Sequence, residues 1–543
     1  MIIVDPVTLG DAACTRPSLK WVWDRTGTLV EVPANTLAVS YDPADLSKAA
    51  FAVVDLEPAT NVVRNNTMQG AAVGTPGSTP TYWGIEGANT NGLVRTVVQV
   101  GVEDGIEFMD IRYAGVATAN AVHQIGFDST TSAVAATGET WAGSVFVASI
   151  GEPVGVLDPR MEISERTEAG AQIGYGRAPI DLVPKRLSQS RVELLHAIVQ
   201  PDVARVSNKL VFAYREGTAV DFTVRIGLPQ LERDRVTSPI KTSGAAVTRA
   251  ADVIGPTAGL IYSNVPMVEP PYNAATTYAK DAAVYDPATK IVYWSMQAAN
   301  VGKPLSDPAW WNKRTAINRW AMFDDRNSTL TSNPEEIITV ISAKAITQGA
   351  FAGALDASEV RISMTHPTRG VVYSEKRSLV LPRSGSSFFG WCFNRLRMRT
   401  WFLTLKLPVF ANALVTITIR KPGGVAKCGM CMIGPAIDVG LSLMGLSTEL
   451  KDYSTTTFYP DGSSDTIPRG FSKRMSIDLS VESDRVESIE DDLIKRRQKT
   501  LVWLGSTLRG DTMLVGKFSS FRKVIDSYPR SKMALQIEGV LSQ

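Results

Sequence analysis

The chain has 543 residues, more than one hydrophobic core supports, since cores stop growing near ~250–300 residues and longer chains divide; three or four domains are expected. Lys and Arg number 56 against 54 acids, a net charge of +2, so there is no basic excess to neutralise a run of phosphates and nucleic acid is not an expected partner. Charged residues make up 20% and hydrophobic ones 44%, which excludes the depleted composition of a disordered chain.

The opening MIIVDPVTLGDAAC places acids where an export signal needs basic residues. The most apolar window, GMCMIGPAIDVGLSLMG at 429–445, is interrupted by Pro435 and Asp438 and is shorter than the ~20 residues a bilayer requires. The expectation is a protein without membrane insertion. Four cysteines are too few for a disulfide framework. Cys428 and Cys431 form a CxxC, half of a zinc site, but Cys14 and Cys392 stand alone and there are three histidines. The pair reads as small buried hydrophobes, and no metal or cofactor is expected.

Along the chain, period-two alternation is frequent and helical periodicity scarce, which predicts a mainly β protein of serial lectin- or jelly-roll-like sandwiches. Residues 1–60 read as an N-terminal β arm or anchoring segment, and 61–253 as a β-sandwich with strands at 191–200 and 219–228. Pro229 is expected to end the second of these, because it has no N–H to donate. The polar ERDRVTSPIKTSGAAVTRAADV that follows reads as chain running over a surface. Residues 254–312 then hold a linker and a small three-stranded module dense in Tyr and Trp, its first two strands AAVYD and KIVYW flanking the turn DPATK. So small a module needs its aromatics for burial, and Tyr278, Tyr285, Tyr293 and Trp310 are expected in its core.

Residues 313–543 form the largest piece, a C-terminal sandwich entered through INRWAMFDD (317–325), which reads as a strand. FNRLRMRTWF (393–402) alternates Arg395, Arg397 and Arg399 with Leu396 and Met398, a strand with one basic and one apolar face. Its arginines are an assembly contact or a solvated edge that blocks unwanted strand pairing. Near 484–497, Val486, Ile489, Leu493 and Ile494 share one helical face, Ser483 or Asp484 can cap the start, and Lys495, Arg496 and Arg497 end it. With the flanking MSIDLSV and TLVWLGS this is a strand–helix–strand unit.

Several segments carry a resemblance. TRPSLKWVWDRTGTLVEVPANTLAVSYDP, "LEPATN", "GLPQLE" and "TSPI…GAAVTRAAD", within residues 15–253, resemble the lectin-like sandwich of tailed-bacteriophage fibre, spike and minor tail proteins. Block 268–312 resembles small carbohydrate-binding modules of chitinases and phage tails. Residues 317–543, with INRWAMFDDRNSTLTS, KDYS, RGFSKRMS and the closing LQIEGVL, are similar to C-terminal regions of phage virion proteins. The resemblance implies a virion component of the tail, baseplate or tail fibre, made in the cytoplasm of the host bacterium. It would partner other virion proteins and copies of itself, with a trimer the guess for such fibres, and attach to host-surface glycan. A head or collar fibre of the same build is the alternative. The modules it resembles present paired aromatics after the second strand. Here Ser295, Met296 and Gln297 follow Tyr293 and Trp294, so the platform is incomplete, and Trp294, Trp311 and Tyr293 are the candidate sugar contacts.

A glycan-degrading tail enzyme is the reading from another class, and the residues give it little. GxSxG, HExxH, P-loop and calcium-loop patterns are missing from the sequence. His123, His196 and His366 are scattered, and His196 reads as an ordinary strand residue. Glu490, Asp491 and Asp492 cluster on the exposed face of a helix. No repeat of solenoid length is present. The protein is expected not to be an enzyme.

Overall fold

The computed structural model describes residues 1–85, 89–129, 133–381, 388, 393, 397–506, 509–524 and 529–540. The chain is nearly all β, with serial sandwich domains and one strand–helix–strand unit near its C-terminus. It divides into two compact units: residues 13–255 form one, and residues 1–12 together with 256–543 form the other. The first is therefore inserted into the second in sequence. Residues 1–60, expected as one arm, are shared between the two.

In the inserted unit, two six-stranded antiparallel sheets share one core. One runs Asn89–Thr90, Leu93–Glu103, Ile106–Val116, Ala219–Arg233, Thr140–Ser149, Arg191–Ala197; the other is built on Gln172–Pro179, Leu157–Arg166, Arg205–Tyr214 and Ala121–Gly126. Alternate residues from both, among them Met109, Ile111, Trp141, Met161, Ile163, Leu210, Phe212 and Val224, fill the space between, as period two requires of a sandwich. Residues of the N-terminal hairpin Lys20–Trp23/Leu29–Val32 cover the outer side of the first sheet, where Leu29, Trp21 and Trp23 pack with Ile106, Phe108 and Phe146. This explains why Trp141–Ser149 is buried on both faces.

Two expectations about the end of this unit are corrected. Strand Ala219–Arg233 does not stop at Pro229. Its pairing shifts between Ser144↔Gln230 and Phe146↔Gly227, so Leu228 and Pro229 sit in a bulge, where a missing N–H costs no ladder bond. The polar stretch after it lies on the surface only in part, for Ser243–Thr248 are exposed but Thr237, Ile240, Thr242, Arg249 and Asp252 are buried. Glu232 accepts from the Thr237 amide (3.1 Å) and hydroxyl (2.6 Å). Gln230 Oε1 accepts from the Ile240 amide at 2.8 Å, and the buried Asn61 and Asn66 amides donate to the Ile240 carbonyl.

The unit closes on a buried ionic cluster. Cys14–Thr15 pairs antiparallel with Val253–Ile254. Beside this pair, Asp252 binds Arg16 Nη1 and Lys20 Nζ, each at 2.7 Å, with all three side chains fully buried. Lys20 also reaches Asp55 at 2.6 Å and the Val53 carbonyl at 2.8 Å. Asp252 Oδ2 accepts the Asp55 amide at 2.8 Å, and Arg16 donates to the Ser18 and Pro33 carbonyls.

The second unit is layered. A six-stranded sheet (Gly10–Asp11, Gly259–Ser263, Thr331–Ser342, Leu414–Cys428, Glu359–His366, Gly370–Ser378) faces the three-stranded sheet Trp401–Thr404, Gly349–Gly353, Met430–Gly434. Ile337, Ile362, Ile417, Phe402 and Cys431 fill the core between them. The other side of the small sheet, with Phe351, Leu403, Met430 and Met432, packs on Val4, Val502 and Leu504 of an eight-stranded sheet. The small sheet is thus buried on both faces, and Met430–Gly434 reads as a continuous apolar run because neither side sees water. In the eight-stranded sheet Ile2–Val4 lies between Ala436–Asp438 and Leu501–Ser506, while Leu441–Ser442 pairs at the far end with Phe471–Glu482. Residues 436–442 thereby pair at both ends and close the sheet on itself. Helix Val486–Lys495 packs Val486, Ile489 and Leu493 on its inner face with Leu479, Trp503 and Leu535. Neither Ser483 nor Asp484 caps it: Arg485 holds the N-cap position with no side-chain bond.

INRWAMFDD is not a strand, since Asn318–Phe323 forms a 3-10 helix that buries Trp320, Ala321 and Met322. Nor is 393–402 a single strand among the described residues. Met398 makes an isolated bridge to Val380, and strand Trp401–Thr404 starts after it.

Burial alone would push the Asp252 carboxyl up; the Lys20 charge, the Asp55 amide and the Lys20 and Arg16 hydrogen bonds together outweigh it and hold the group below its ordinary value. A depressed carboxylate contributes stability above its unfolded pKa of ~3.9, and that stability disappears as pH falls through the lower folded value. Calorimetry should therefore resolve a transition of the inserted unit that weakens below about pH 4. Asp252→Ala should lower it at neutral pH by about 3–5 kcal/mol, by leaving buried Arg16 without its carboxylate and Lys20 with Asp55 alone.

Candidate functional site

The small aromatic module contains Ala283–Tyr285, Ile291–Ser295 and Trp311–Ala316 in one antiparallel sheet. Asp286, at the turn between the first two strands, accepts from the Ala288 amide at 3.0 Å and the Thr289 hydroxyl at 2.8 Å. Successive residues of IVYWS face opposite sides. Tyr293 packs against the module core of Tyr278, Val284 and Trp311. Val292 and Trp294 face the other way, Val292 into the core of the second unit. Trp294 is 40% exposed.

One candidate sugar contact is thereby corrected. Trp311 is 3% exposed and its indole N–H donates to the Lys303 carbonyl at 3.0 Å, so no ligand reaches its ring. Tyr293 is half-buried against the same core and on the opposite face from Trp294. Tyr278 is buried, Tyr285 packs on the core of the larger sheets, and Trp310 is half-buried with the Lys303 ammonium 5.0 Å above its ring.

Trp294 borders a groove of about 680 Å³ lined by Glu269, Val292, Lys313, Arg314, Asn318, Thr329 and neighbours. The Arg314 guanidinium lies 4.1 Å from the Trp294 ring centroid, a cation–π stack that fixes the indole's orientation. Glu269 Oε2 is buried in the wall with no hydrogen-bond partner. An aromatic face, cationic donors and an unused carboxylate acceptor can together take a polyhydroxylated ligand, whose C–H faces stack while its hydroxyls pair. Glu269, Lys313 and Arg314 were missed in the sequence. The only signal was that Arg314 shares a face with Trp294 on a paired strand, which needs the register.

The remaining candidates do not join this site. Arg397 is exposed, and Arg399 lies 4.8 Å from the Trp401 ring; Arg395 and Cys392 lie outside the described residues. His196 Nε2 is 2.9 Å from Glu165, whose other oxygen accepts the Val199 and Gln200 amides. Gly176 lies so close that an added Cβ would meet the imidazole at 2.4 Å, so the pair is held in packed structure. Glu490 pairs with Lys523 at 2.7 Å and Asp492 with Arg496 at 2.9 Å. Cys428 and Cys431 are buried; burial pushes the Cys428 thiol up to about 12 and the Cys431 thiol well above its ordinary value. Among the described residues no cluster of His, Cys, Asp or Glu is arranged to hold a metal, and no helix is long and apolar enough to cross a membrane.

No family model matches the chain, and no curated protein matches it. Among solved structures, an arabinose-bound GH51 α-L-arabinofuranosidase aligns over 33% of this chain and 27% of its own length, at 13% identity and a TM-score of 0.22. The tandem CBM22 domains at the N-terminus of Xyn10C from Paenibacillus barcinonensis align over 68% and 98%, at 10% identity and 0.18. Allantoicase from Saccharomyces cerevisiae aligns over 69% and 92%, at 9% identity and 0.13. At such scores none carries an argument about this chain.

The two tryptophans should separate in mutagenesis. Trp311→Ala should destabilise the module by about 3–5 kcal/mol, seen as fast hydrogen exchange across 272–316. Trp294→Ala should cost under about 1 kcal/mol, the scale of an exposed cation–π contact.

Proposed function

We propose that the protein is a non-enzymatic structural component of a tailed-bacteriophage particle, in the tail, baseplate or tail fibre, that contributes to attachment to host-surface glycan. The virion half of this reading rests on the motif resemblance, from "LEPATN" through "TSPI…GAAVTRAAD". The attachment half rests on one observation, the exposed Trp294 beside a groove whose wall holds the unpartnered Glu269 oxygen. A shallow groove with one aromatic face binds a sugar weakly. Many copies on one particle raise avidity by ~10²–10⁴ through effective concentration, so attachment in this reading works by repetition and needs no reactive group.

Glu165, Glu490 and Asp492 have structural partners, which supports reading the groove as a binding surface. Pull-down of the full chain on host envelope polysaccharide should fall at least tenfold for Trp294→Ala and for Glu269→Gln, with melting unchanged and the polysaccharide left at its original length. Equal binding by both variants removes this groove from the account, and shortened polysaccharide overturns the non-enzymatic reading. Immunogold labelling of intact particles should mark the tail; label on the capsid alone would favour the head or collar fibre.

A further inference from the structure

Lys313 and Arg314 are neighbours in sequence and would point to opposite sides of a regular strand. Here the pairing shifts between Ile291↔Ala316 and Tyr293↔Lys313, so that Arg314 and Thr315 stand opposite Val292 alone. The extra residue re-aims the strand, and Lys313, Arg314, Thr315 and Ala316 in succession all line the Trp294 groove. Two cations are thereby gathered on a groove where strict alternation would have left one.

Some polar groups of the groove are already committed to the fold. Asn318 donates to the Ser332 carbonyl at 2.9 Å and accepts its amide at 2.8 Å, and the Thr329 hydroxyl donates to Asp324 at 2.7 Å. The charged side chains are not committed. Among the described residues no carboxylate pairs with Lys313 or Arg314, both of which are exposed, and Glu269 Oε2 is buried without a donor. Lys313 and Arg314 against Glu269 leave the groove one positive charge in excess, while the whole chain carries only +2, so any preference for an anion is local to this place. The Arg314 guanidinium is also held over the Trp294 ring. A guanidinium so held is a preorganised fork for a carboxylate, which it meets through two parallel charge-assisted bonds, each roughly twice as strong as a neutral one.

Resting on the reading of this groove as a glycan site, we propose that the sugar it takes is acidic, a uronate-type unit of an anionic polysaccharide. Its carboxylate lies on Arg314 and Lys313, a C–H face of its ring packs against the exposed part of Trp294, and one of its hydroxyls donates to Glu269 Oε2. Charge fixes this orientation. A ligand carboxylate turned toward Glu269 would set two anions together at a buried oxygen, whereas a hydroxyl turned there supplies the missing donor. A neutral sugar fills the stack and the Glu269 bond but leaves both cations to water.

Titration calorimetry of the full chain tests this with host envelope polysaccharide in two forms, the native material and the same material with its carboxylates reduced to alcohols. The wild type should bind the native form about tenfold or more tightly, the scale of one added charge-assisted contact. Added salt should narrow that gap, because the two cations are exposed. Lys313→Gln combined with Arg314→Gln should bring the two forms to about equal affinity with melting near wild type, since neither side chain supports a core. Trp294→Ala should weaken both forms. Equal binding of the two forms by the wild type overturns the acidic ligand and leaves the glycan reading standing. A preference that survives loss of both cations overturns the assignment to Lys313 and Arg314. Binding of neither form removes the glycan reading itself, and this inference with it.

Discussion

The inserted unit depends on the burial of one carboxylate. Asp252, fully enclosed, holds two enclosed cations and the Asp55 amide, so it joins the first strands of residues 13–255 to the last before the chain returns to the layered unit. In sequence Arg16 and Lys20 lie 236 and 232 residues from Asp252. An uncompensated charge at such depth is expensive, and the arrangement therefore makes closure of the insert nearly all-or-none. Around it a second set of buried polar groups, Asn61, Asn66, Gln230, Glu232 and Thr237, satisfies the irregular backbone from Pro229 to Thr242. The segments that carry the phage resemblance, "LEPATN", "GLPQLE" and "TSPI", supply these groups except Asn66. What looks like a signature is, physically, the set of residues whose loss would leave buried donors and acceptors unpaired.

The same logic divides what could be read in the sequence from what could not. Runs such as ALVTITIRK and EEIITVISA read as strands and lie in Leu414–Cys428 and Thr331–Ser342, where both faces are buried. Helix Val486–Lys495 announced itself through Val486, Ile489 and Leu493. Nesting left no local trace. That Ile2–Val4 pairs with Leu501–Ser506, or that Lys20 pays its charge to Asp252, is decided by partners hundreds of residues away. Local rules misled where tertiary structure supplied an exception. Pro229 was tolerated by a bulge, and Thr237, Thr242, Arg249 and Asp252 in the polar stretch are buried because each finds polar partners.

The candidate site shows a subtler limit. Trp294 could be distinguished from Tyr293 by parity alone, once Val292 is known to face a core. Trp311 could not, because its burial follows from the Tyr272 and Tyr278 rings that pack edge-on against it. The groove's Glu269 lies outside the three strands and enters through the fold. Among the described residues, ion pairs close the insert, carboxylates brace loops, and the cysteines are buried. At the surface stand Trp294, stacked by Arg314 near the Glu269 acceptor, and the exposed two-stranded ribbon at 455–469.

Native-state hydrogen exchange of the full chain tests the central claim, that the buried Asp252 cluster closes the insert as one cooperative piece. The Asp55 and Gly255 amides, next to that cluster, should exchange with the same opening free energy as Val147 and Val224 in the sandwich core. If they exchange through a separate, low-energy local opening while those core amides stay protected, the cluster is a local ornament and the account of the insert fails.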